Sequence, residues 1–193
     1  MTHPRLRLGV AAGLLAIAGL PPLAGWWEAS MVRHMLVQVP MLVAAGVLSA
    51  PAPGGARHSP AEGAAAVLVA TFALMFWMMP RWLDAAVDSR AVDLAKFATL
   101  VLLAGVPLGW GWRRLGPVGR AFVWAQAVSM AGALGILYAT FPVRLCTSYL
   151  VSEQEALGRL ILAAAAALAL AGGLRAMTGR PGGAPSRERG GRR

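Results

Sequence analysis

The feature that most constrains this chain is its succession of long apolar segments. Six windows of about 20 mostly apolar residues, the length that crosses a bilayer as a helix, follow one another without overlap. They lie at 8–26, 31–50, 62–82, 91–112, 119–141 and 156–175. Because 58% of the residues are hydrophobic and only 13% are charged, the chain has more apolar material than a soluble domain of this size buries. We therefore predict an all-α, polytopic transmembrane bundle of about six helices.

The first window has a second interpretation. Arg5 and Arg7 precede its apolar run, and the small-residue sequence at 16–18 would suit cleavage of a signal peptide. Its length of about 18 residues through Trp26 favours a retained helix.

Basic residues are divided unequally between the two ends of the predicted helices. If the N-terminus is cytoplasmic, that side holds twelve arginines and two glutamates, whereas six basic and six acidic residues balance on the other side. Since cytoplasmic loops retain basic residues, we predict that both termini are cytoplasmic. Topology then accounts for the net charge of +10, and no nucleic-acid partner is needed to explain it.

The chain is predicted to be one domain with a tail, because no connection is long enough to hold a second domain. Residues 1–178 are expected to form a single transmembrane helical unit. Residues 179–193 are rich in Gly, Pro and Arg, which is typical of a disordered segment. We expect this cytoplasmic tail to lie near the anionic headgroups of membrane lipids.

Methionines and a histidine collect towards the outer ends of the second and third predicted helices. In MVRHMLVQVPM the spacing i, i+3, i+4, i+7, i+10 places five residues on one helix face. These residues are Met31, His34, Met35, Gln38 and Met41. The third helix repeats the pattern with Met75, Met78 and Met79. Thioether and imidazole groups favour Cu(I), so one interpretation is a transient copper site. The other is that the methionines are ordinary packing and His34 is hydrogen-bonded to a neighbour.

Three further polar residues near the outer ends have competing interpretations. Asp93 and Lys96 are one turn apart, which favours a local ion pair, although Asp93 is also a candidate ligand. Cys146 is the only cysteine, so no disulfide framework or CxxC motif exists, and it is either a ligand or a bystander. We find no catalytic triad pattern and no phosphate-binding glycine loop, so we do not expect an enzyme.

Three segments, in order, resemble the CtaG-type cytochrome c oxidase assembly family. The first, MVRHMLVQVPMLVAAG, is similar to that family's helix with a His-Met-Leu start and a later proline. The second, FWMMPRWLDAAVDSRAVDLAKFATLVLLAG, is similar to its Trp-His-x-Pro element, outer loop with an Asp, and a helix that opens on a histidine. The third, LYATFPVRLCTSYLVSEQEALGRLIL, is similar to its Tyr-Pro turn, tyrosine and Gln-x-x-x-Gly helix entry. Together they cover roughly residues 31–162.

The resemblance implies an integral membrane factor that assists copper insertion into a haem-copper respiratory oxidase, from the outer side of the bacterial inner membrane. A subunit of that oxidase would be its partner. His34 stands at a family histidine position, whereas Met78 and Asp93 stand where the family has histidines. Together with the methionine face, this makes Cu(I) the expected cofactor. Its candidate ligands are His34, Met31, Met35, Met78, Met79 and Asp93.

Two other functions stay open at this point. A divergent member that binds no metal would act as a non-catalytic subunit or scaffold of a respiratory or other membrane complex. A small-molecule permease is the third possibility, and it is the weakest because the helices have no detectable internal repeat.

Overall fold

In a computed structural model the described residues, 4–51 and 59–178, form eight helices and no strand. The predicted all-α bundle is therefore confirmed. The helices are α1 Pro4–Gly19, α2 Leu23–Glu28, α3 Met31–Ser49, α4 Pro60–Trp77, α5 Pro80–Asp88, α6 Arg90–Trp112, α7 Pro117–Thr140 and α8 Val151–Thr178. The predicted tail, 179–193, lies outside the described residues.

Within the described residues, five helices are long and apolar enough to cross a membrane: α3, α4, α6, α7 and α8. The protein is thus a multi-pass membrane protein. The windows predicted for α3, α6 and α7 agree with the helices within two residues at each end. α8 is longer than predicted, since it begins at Val151 and has 28 residues.

The first predicted span, 8–26, is not one helix. α1 ends at Gly19, and α2 begins at Leu23 after Pro21 and Pro22. A proline ring has no N–H and clashes with the carbonyl group one turn earlier, so an uninterrupted helix is disfavoured at this point. The prediction of a single helix from 8 to 26 was wrong for this reason.

Side chains satisfy the carbonyl groups that the interruption leaves open at the end of α1. Trp27 Nε1 donates to the carbonyl oxygen of Ile17 at 2.9 Å, and Gln38 Nε2 donates to that of Ala18 at 3.0 Å. Such compensation is needed in lipid, where no water is available to bond exposed backbone groups.

α1 and α2 nevertheless run antiparallel along α3. Arg7, near the start of α1, bonds the backbone at the end of α3, whereas α2 ends beside the start of α3. α8 packs along α7, with Gly172 against Trp124, so the last turns of α8 lie beside the start of α7. The two ends of the described chain thus lie at one end of the bundle. Which side of the membrane this end faces stays a prediction.

Pro80 ends the third span earlier than predicted. The predicted window runs from 62 to 82, although Pro80 could equally open its outer end; in the structure α4 ends at Trp77 and Pro80 is the first residue of α5. Met79, the residue before the proline, is extended, as proline sterics favour. α5 is amphipathic, since it buries Leu83 and exposes Arg81.

Two prolines inside the spans are preceded by π-helical turns. The turns are His34–Gln38 in α3 and Leu100–Gly105 in α6, and each ends two residues before a proline, Pro40 or Pro107. The missing N–H and the ring clash with the carbonyl one turn earlier account for this shift of hydrogen-bond register. The first turn carries His34 and Gln38, both of which are fully buried.

Glycines let α3 and α6 cross with their backbones in contact. A Cβ atom on Gly105 would meet the carbonyl oxygen of Val43 and would lie 2.6 Å from the Cα atom of Gly46. α7 and α8 cross in the same way, because a Cβ atom on Gly158 would lie 2.8 Å from the carbonyl oxygen of Gly135. Small residues at crossings are how membrane helices approach closely.

The hairpin of α7 and α8 joins the other helices mainly at one end of the bundle. One apolar cluster makes this junction, and its buried residues are Met31, Met35, Leu83, Tyr138, Cys146, Tyr149, Leu157 and Ile161. A second cluster lies within α1, α3, α4, α5 and α6 alone, with buried residues Ala18, Val39, Leu42, Trp77, Ala86, Leu100 and Ala104. At the opposite end of α7, residues 117–130 are largely exposed.

The glycine crossing gives a direct test of the packing. We expect Gly105→Ala to lower the free energy of unfolding by about 1–3 kcal/mol, because neither backbone can give way without separating the helices. Gly13→Ala in α1 is the matched control, since its Cβ atom would meet nothing within 4 Å and alanine favours helix. Unfolding of the purified proteins in one detergent measures both, and equal stability of the two variants would contradict the crossing.

Candidate functional site

Buried charged and polar side chains connect α2, α3 and α6 to the loop before α8. We call them the Lys96 network, which consists of Glu28, His34, Asp93, Lys96 and Tyr149. His34 and Lys96 have no exposed surface. Ionisable groups inside a membrane bundle are costly unless they pair, so the partners of each group decide what the network can do.

Lys96 lies at the centre of the network. Its Nζ atom is 2.8 Å from Asp93 Oδ1, 3.3 Å from Glu28 Oε1 and 3.1 Å from His34 Nε2. The predicted ion pair of Asp93 with Lys96 is therefore confirmed. The ammonium group thus donates hydrogen bonds to Glu28 and His34 and is paired with the Asp93 carboxylate, and these partners come from three helices.

The hydrogen bonds determine the tautomer of His34. The Tyr149 hydroxyl donates to the carbonyl oxygen of Glu28 at 2.9 Å, so its oxygen accepts from His34 Nδ1, also at 2.9 Å. Lys96 can only donate, so Nε2 must accept. A neutral ring with its hydrogen on Nδ1 satisfies every contact, and both ring nitrogens are then engaged.

Two side chains hold the loop that presents Tyr149. Asp84 in α5 accepts from the backbone N–H of Thr147 at 2.7 Å and from that of Ser148 at 3.3 Å. Gln154 in α8 accepts from the backbone N–H of Leu145 at 2.9 Å. The glutamine of the third resembling segment therefore has a structural role, because it fixes the loop beside His34.

Burial raises the pKa of two groups in and beside the network. It is the main cause that raises the pKa of the Glu28 carboxyl, and the charge of Lys96 acts in the opposite direction. Burial, followed by the negative charge of Asp84, raises the pKa of the Cys146 thiol to about 12. Cys146 is also buried, so it stays a protonated packing residue at neutral pH, which agrees with the bystander interpretation.

Four of the five residues on the predicted face of α3 are buried, and Met41 is partly buried. Met31, His34, Met35 and Gln38 all lie inside the bundle, and Met31 and Met35 belong to the cluster that joins the hairpin.

The other candidate ligands are only partly gathered. Met78 packs against both apolar clusters, whereas the side chain of Met79 is 46% exposed. Asp93 and His34 converge on Lys96 and not on each other. Whether any of these six residues binds metal stays a prediction.

A copper ion does not fit His34 in this arrangement. A ligand nitrogen needs a free lone pair, but Nδ1 carries the hydrogen bonded to Tyr149, and Nε2 faces the Lys96 ammonium at 3.1 Å. A second cation at Nε2 would have to displace Lys96 from two carboxylates. Among residues 4–51 and 59–178, no three His, Cys, Asp or Glu side chains are grouped to hold a metal ion.

Glu28, Lys96 and Tyr149 were not among the predicted site residues. One signal in the sequence could have identified Lys96, since it is the only lysine among 18 basic residues and the rest are arginines. A compact ammonium fits a three-acceptor pocket that a planar guanidinium does not. Glu28 and Tyr149 have no comparable signal, because their contacts depend on how distant segments pack.

Comparisons with known proteins give no family for this chain. No protein-family model, no curated protein and no solved structure matches it. The resemblance carried by the three segments therefore stays a prediction.

Removing the central cation tests the network. We expect Lys96→Met to lower the free energy of unfolding by about 3–5 kcal/mol, because it leaves Glu28 and Asp93 partly buried without a cation. Lys96→Arg should also be destabilised, since a guanidinium is too wide for the pocket. The control is Arg159→Met, which breaks an exposed pair with Glu155 and should cost at most about 1 kcal/mol. Unfolding in detergent is the measurement, and equal losses in Lys96→Met and Arg159→Met would contradict a buried network.

Proposed function

We propose that this protein is a non-catalytic membrane subunit or assembly factor that binds no metal and acts by docking to another membrane protein. The observation that carries the proposal is a polar patch on α7 that has no partner within the described part of the chain. The resemblance to oxidase assembly factors makes a respiratory oxidase subunit in a bacterial inner membrane the first partner to test.

The patch consists of Gln126 and Ser129, and both side chains are exposed. Within the described part of the chain, neither side chain makes a hydrogen bond. Other hydroxyl groups in these helices do, since Thr140 Oγ1 donates to the carbonyl oxygen of Ile136 at 2.8 Å and Thr71 Oγ1 to that of Val67 at 2.9 Å. Gln126 and Ser129 are thus polar side chains left unsatisfied by the fold.

Leaving these two side chains without hydrogen bonds is costly because the patch lies deep in the membrane. α7 has 24 residues and spans about 36 Å, which exceeds the hydrocarbon thickness of about 30 Å. Gln126 lies about 13 Å along the axis from Pro117, and Ser129 about 18 Å, so both lie inside the hydrocarbon region. Polar groups in membrane helices face another helix or a cavity far more often than lipid.

The neighbouring residues favour a helix as the occupant. Ala125, Ser129 and Ala133 recur every four residues on α7, and all three are exposed. Small residues at this spacing allow another helix to approach closely, and the amide of Gln126 then reaches across the interface. The partner is therefore a transmembrane helix with a hydrogen-bonding side chain at the depth of Gln126.

The Lys96 network has a supporting role in this proposal. It ties Tyr149, and hence the start of α8, to α2, α3 and α6 at one end of the bundle. The rest of the hairpin surface then stays open to a partner. The network orients the docking surface and performs no chemistry itself.

The docking surface is tested at Gln126. We expect Gln126→Leu to leave the stability of the purified protein within about 0.5 kcal/mol of wild type, since the side chain has no internal contact. In native membranes the same change should shift the protein from a larger complex to a smaller species on a native gel. A photo-crosslinking residue at 126 should give a protein adduct, whereas one at the exposed Leu170 of α8 should give lipid adducts. An unchanged native complex in Gln126→Leu would refute this surface.

The copper-handling factor is the other candidate, favoured by the burial of His34 between Met31 and Met35. Copper binding by His34 would require Lys96 to move away from Nε2, where its ammonium group now lies. In a competition titration with a Cu(I) chelator, we expect wild type and His34→Ala to take up copper equally, at the level of micelles alone. Copper binding that His34→Ala abolishes, and that Met78→His preserves or strengthens, would favour the copper function instead.

A further inference from the structure

Arginines gather at the end of the bundle opposite the Lys96 network. Arg7 Nη2 donates to the carbonyl oxygens of Leu48 at 2.9 Å and Ala50 at 3.2 Å. Arg113 Nη1 donates to that of Pro51 at 3.1 Å. Two guanidinium groups, one from α1 and one from the turn after α6, therefore meet at the end of α3.

A third arginine lies beside them. The Arg114 guanidinium stacks on the ring of Trp110 at 3.5 Å from its centre, and its buried Nε atom has no hydrogen-bond partner in the described part of the chain. Burial, followed by the charges of Arg7 and Arg114, lowers the pKa of Arg113. The three positive charges are thus close enough to repel one another.

The charge at this end is not balanced by carboxylates. Six described arginines lie here, namely Arg5, Arg7, Arg113, Arg114, Arg120 and Arg175. Glu62 is the one described acidic residue at this end. The C-terminus of α3 supplies only about half a negative charge, so capping it does not account for two guanidinium groups.

Arg7 and Arg113 also have N–H donors that bind no other described residue. Each binds backbone oxygens through one terminal nitrogen, and the remaining nitrogens donate to no other described residue. Arg113 keeps Nε and Nη2, a side-by-side pair that matches two oxygens of a phosphate, whereas Arg7 Nη2 is engaged with two carbonyl groups and Arg7 can offer only single donors. The backbone bonds hold the two groups in place, so little side-chain freedom is lost when an anion binds.

We propose that Arg7 and Arg113, with Arg114 beside them, bind the phosphate of an anionic phospholipid headgroup. Arg113 and Arg114 follow the end of α6 and Arg7 contacts the end of α3, so all three lie at the ends of membrane-spanning helices, where headgroup phosphates are found. Basic pockets between helices on the cytoplasmic side are suited to such lipids. A soluble phosphate offers the same oxygens, and the experiment separates these two sources.

Thermal unfolding of the full chain in nanodiscs tests the site. Wild type should melt at a higher temperature in phosphatidylcholine mixed with phosphatidylglycerol than in phosphatidylcholine alone. Arg113→Gln and Arg7→Gln should lose most of this rise. Arg175→Gln removes the same charge from the same end of the bundle, and it should keep the rise. Arg113→Lys keeps the charge but not the planar pair of donors, so it should retain only part of the rise. This variant still tests the site if Arg113→Gln fails to fold.

Three results would overturn the site. A purely structural role predicts that Arg113→Gln melts lower by the same amount in both lipids and keeps the full rise. General charge attraction predicts that Arg175→Gln loses as much of the rise as Arg113→Gln. If inorganic phosphate added to phosphatidylcholine discs produces the same rise, the anion is soluble and the lipid assignment is wrong.

Discussion

The ammonium group of Lys96 hydrogen-bonds Glu28 and His34 and forms an ion pair with Asp93. These acceptors come from α2, α3 and α6, and Tyr149 extends the contact to the loop before α8. A charge removed from water is stabilised only if its partners stay in place. The Lys96 ammonium group therefore requires α2, α3, α6 and the loop before α8 to meet at one place. The position of the α7–α8 hairpin depends on that condition, because the apolar junction beside it includes Tyr149 itself.

Prolines and glycines shape the helices that meet at Lys96. Proline interrupts the first span and ends α4 early, and inside α3 and α6 it is preceded by a π-helical turn. The turn in α3 carries His34 towards Lys96 and Gln38 towards the open carbonyl of Ala18. The backbone contact of Gly46 with Gly105 then sets how closely α3 and α6 cross. The break after α1 is thus compensated by side-chain contacts from Trp27 and Gln38, as a backbone in lipid requires.

The two ends of the bundle differ in chemistry. At the Lys96 end, charges of both signs neutralise one another and leave neither ring nitrogen of His34 free. At the Arg113 end, positive charges accumulate and donors stay unused. Between them, α7 exposes an amide and a hydroxyl group to the region occupied by lipid chains. At one end of the bundle the polar groups are thus satisfied within the protein. The groups that remain available to other molecules lie along α7 and at the arginine-rich end.

The sequence by itself determined the helical class, five of the membrane spans, the shared face of His34 and the methionines on α3, and the ion pair of Asp93 with Lys96. These follow from apolar length and helical spacing, which act over a few turns. The predicted windows ran past the break in the first span and past the end of α4, although the prolines responsible were visible. Only the tertiary structure decided that Lys96 occupies His34 Nε2 and that Glu28 and Tyr149 complete the network. Those contacts join residues 62 to 121 positions apart, and no local pattern encodes such a distance. The copper hypothesis was built on residue types. A ligand also needs a free lone pair, and the packing between helices decides whether one remains.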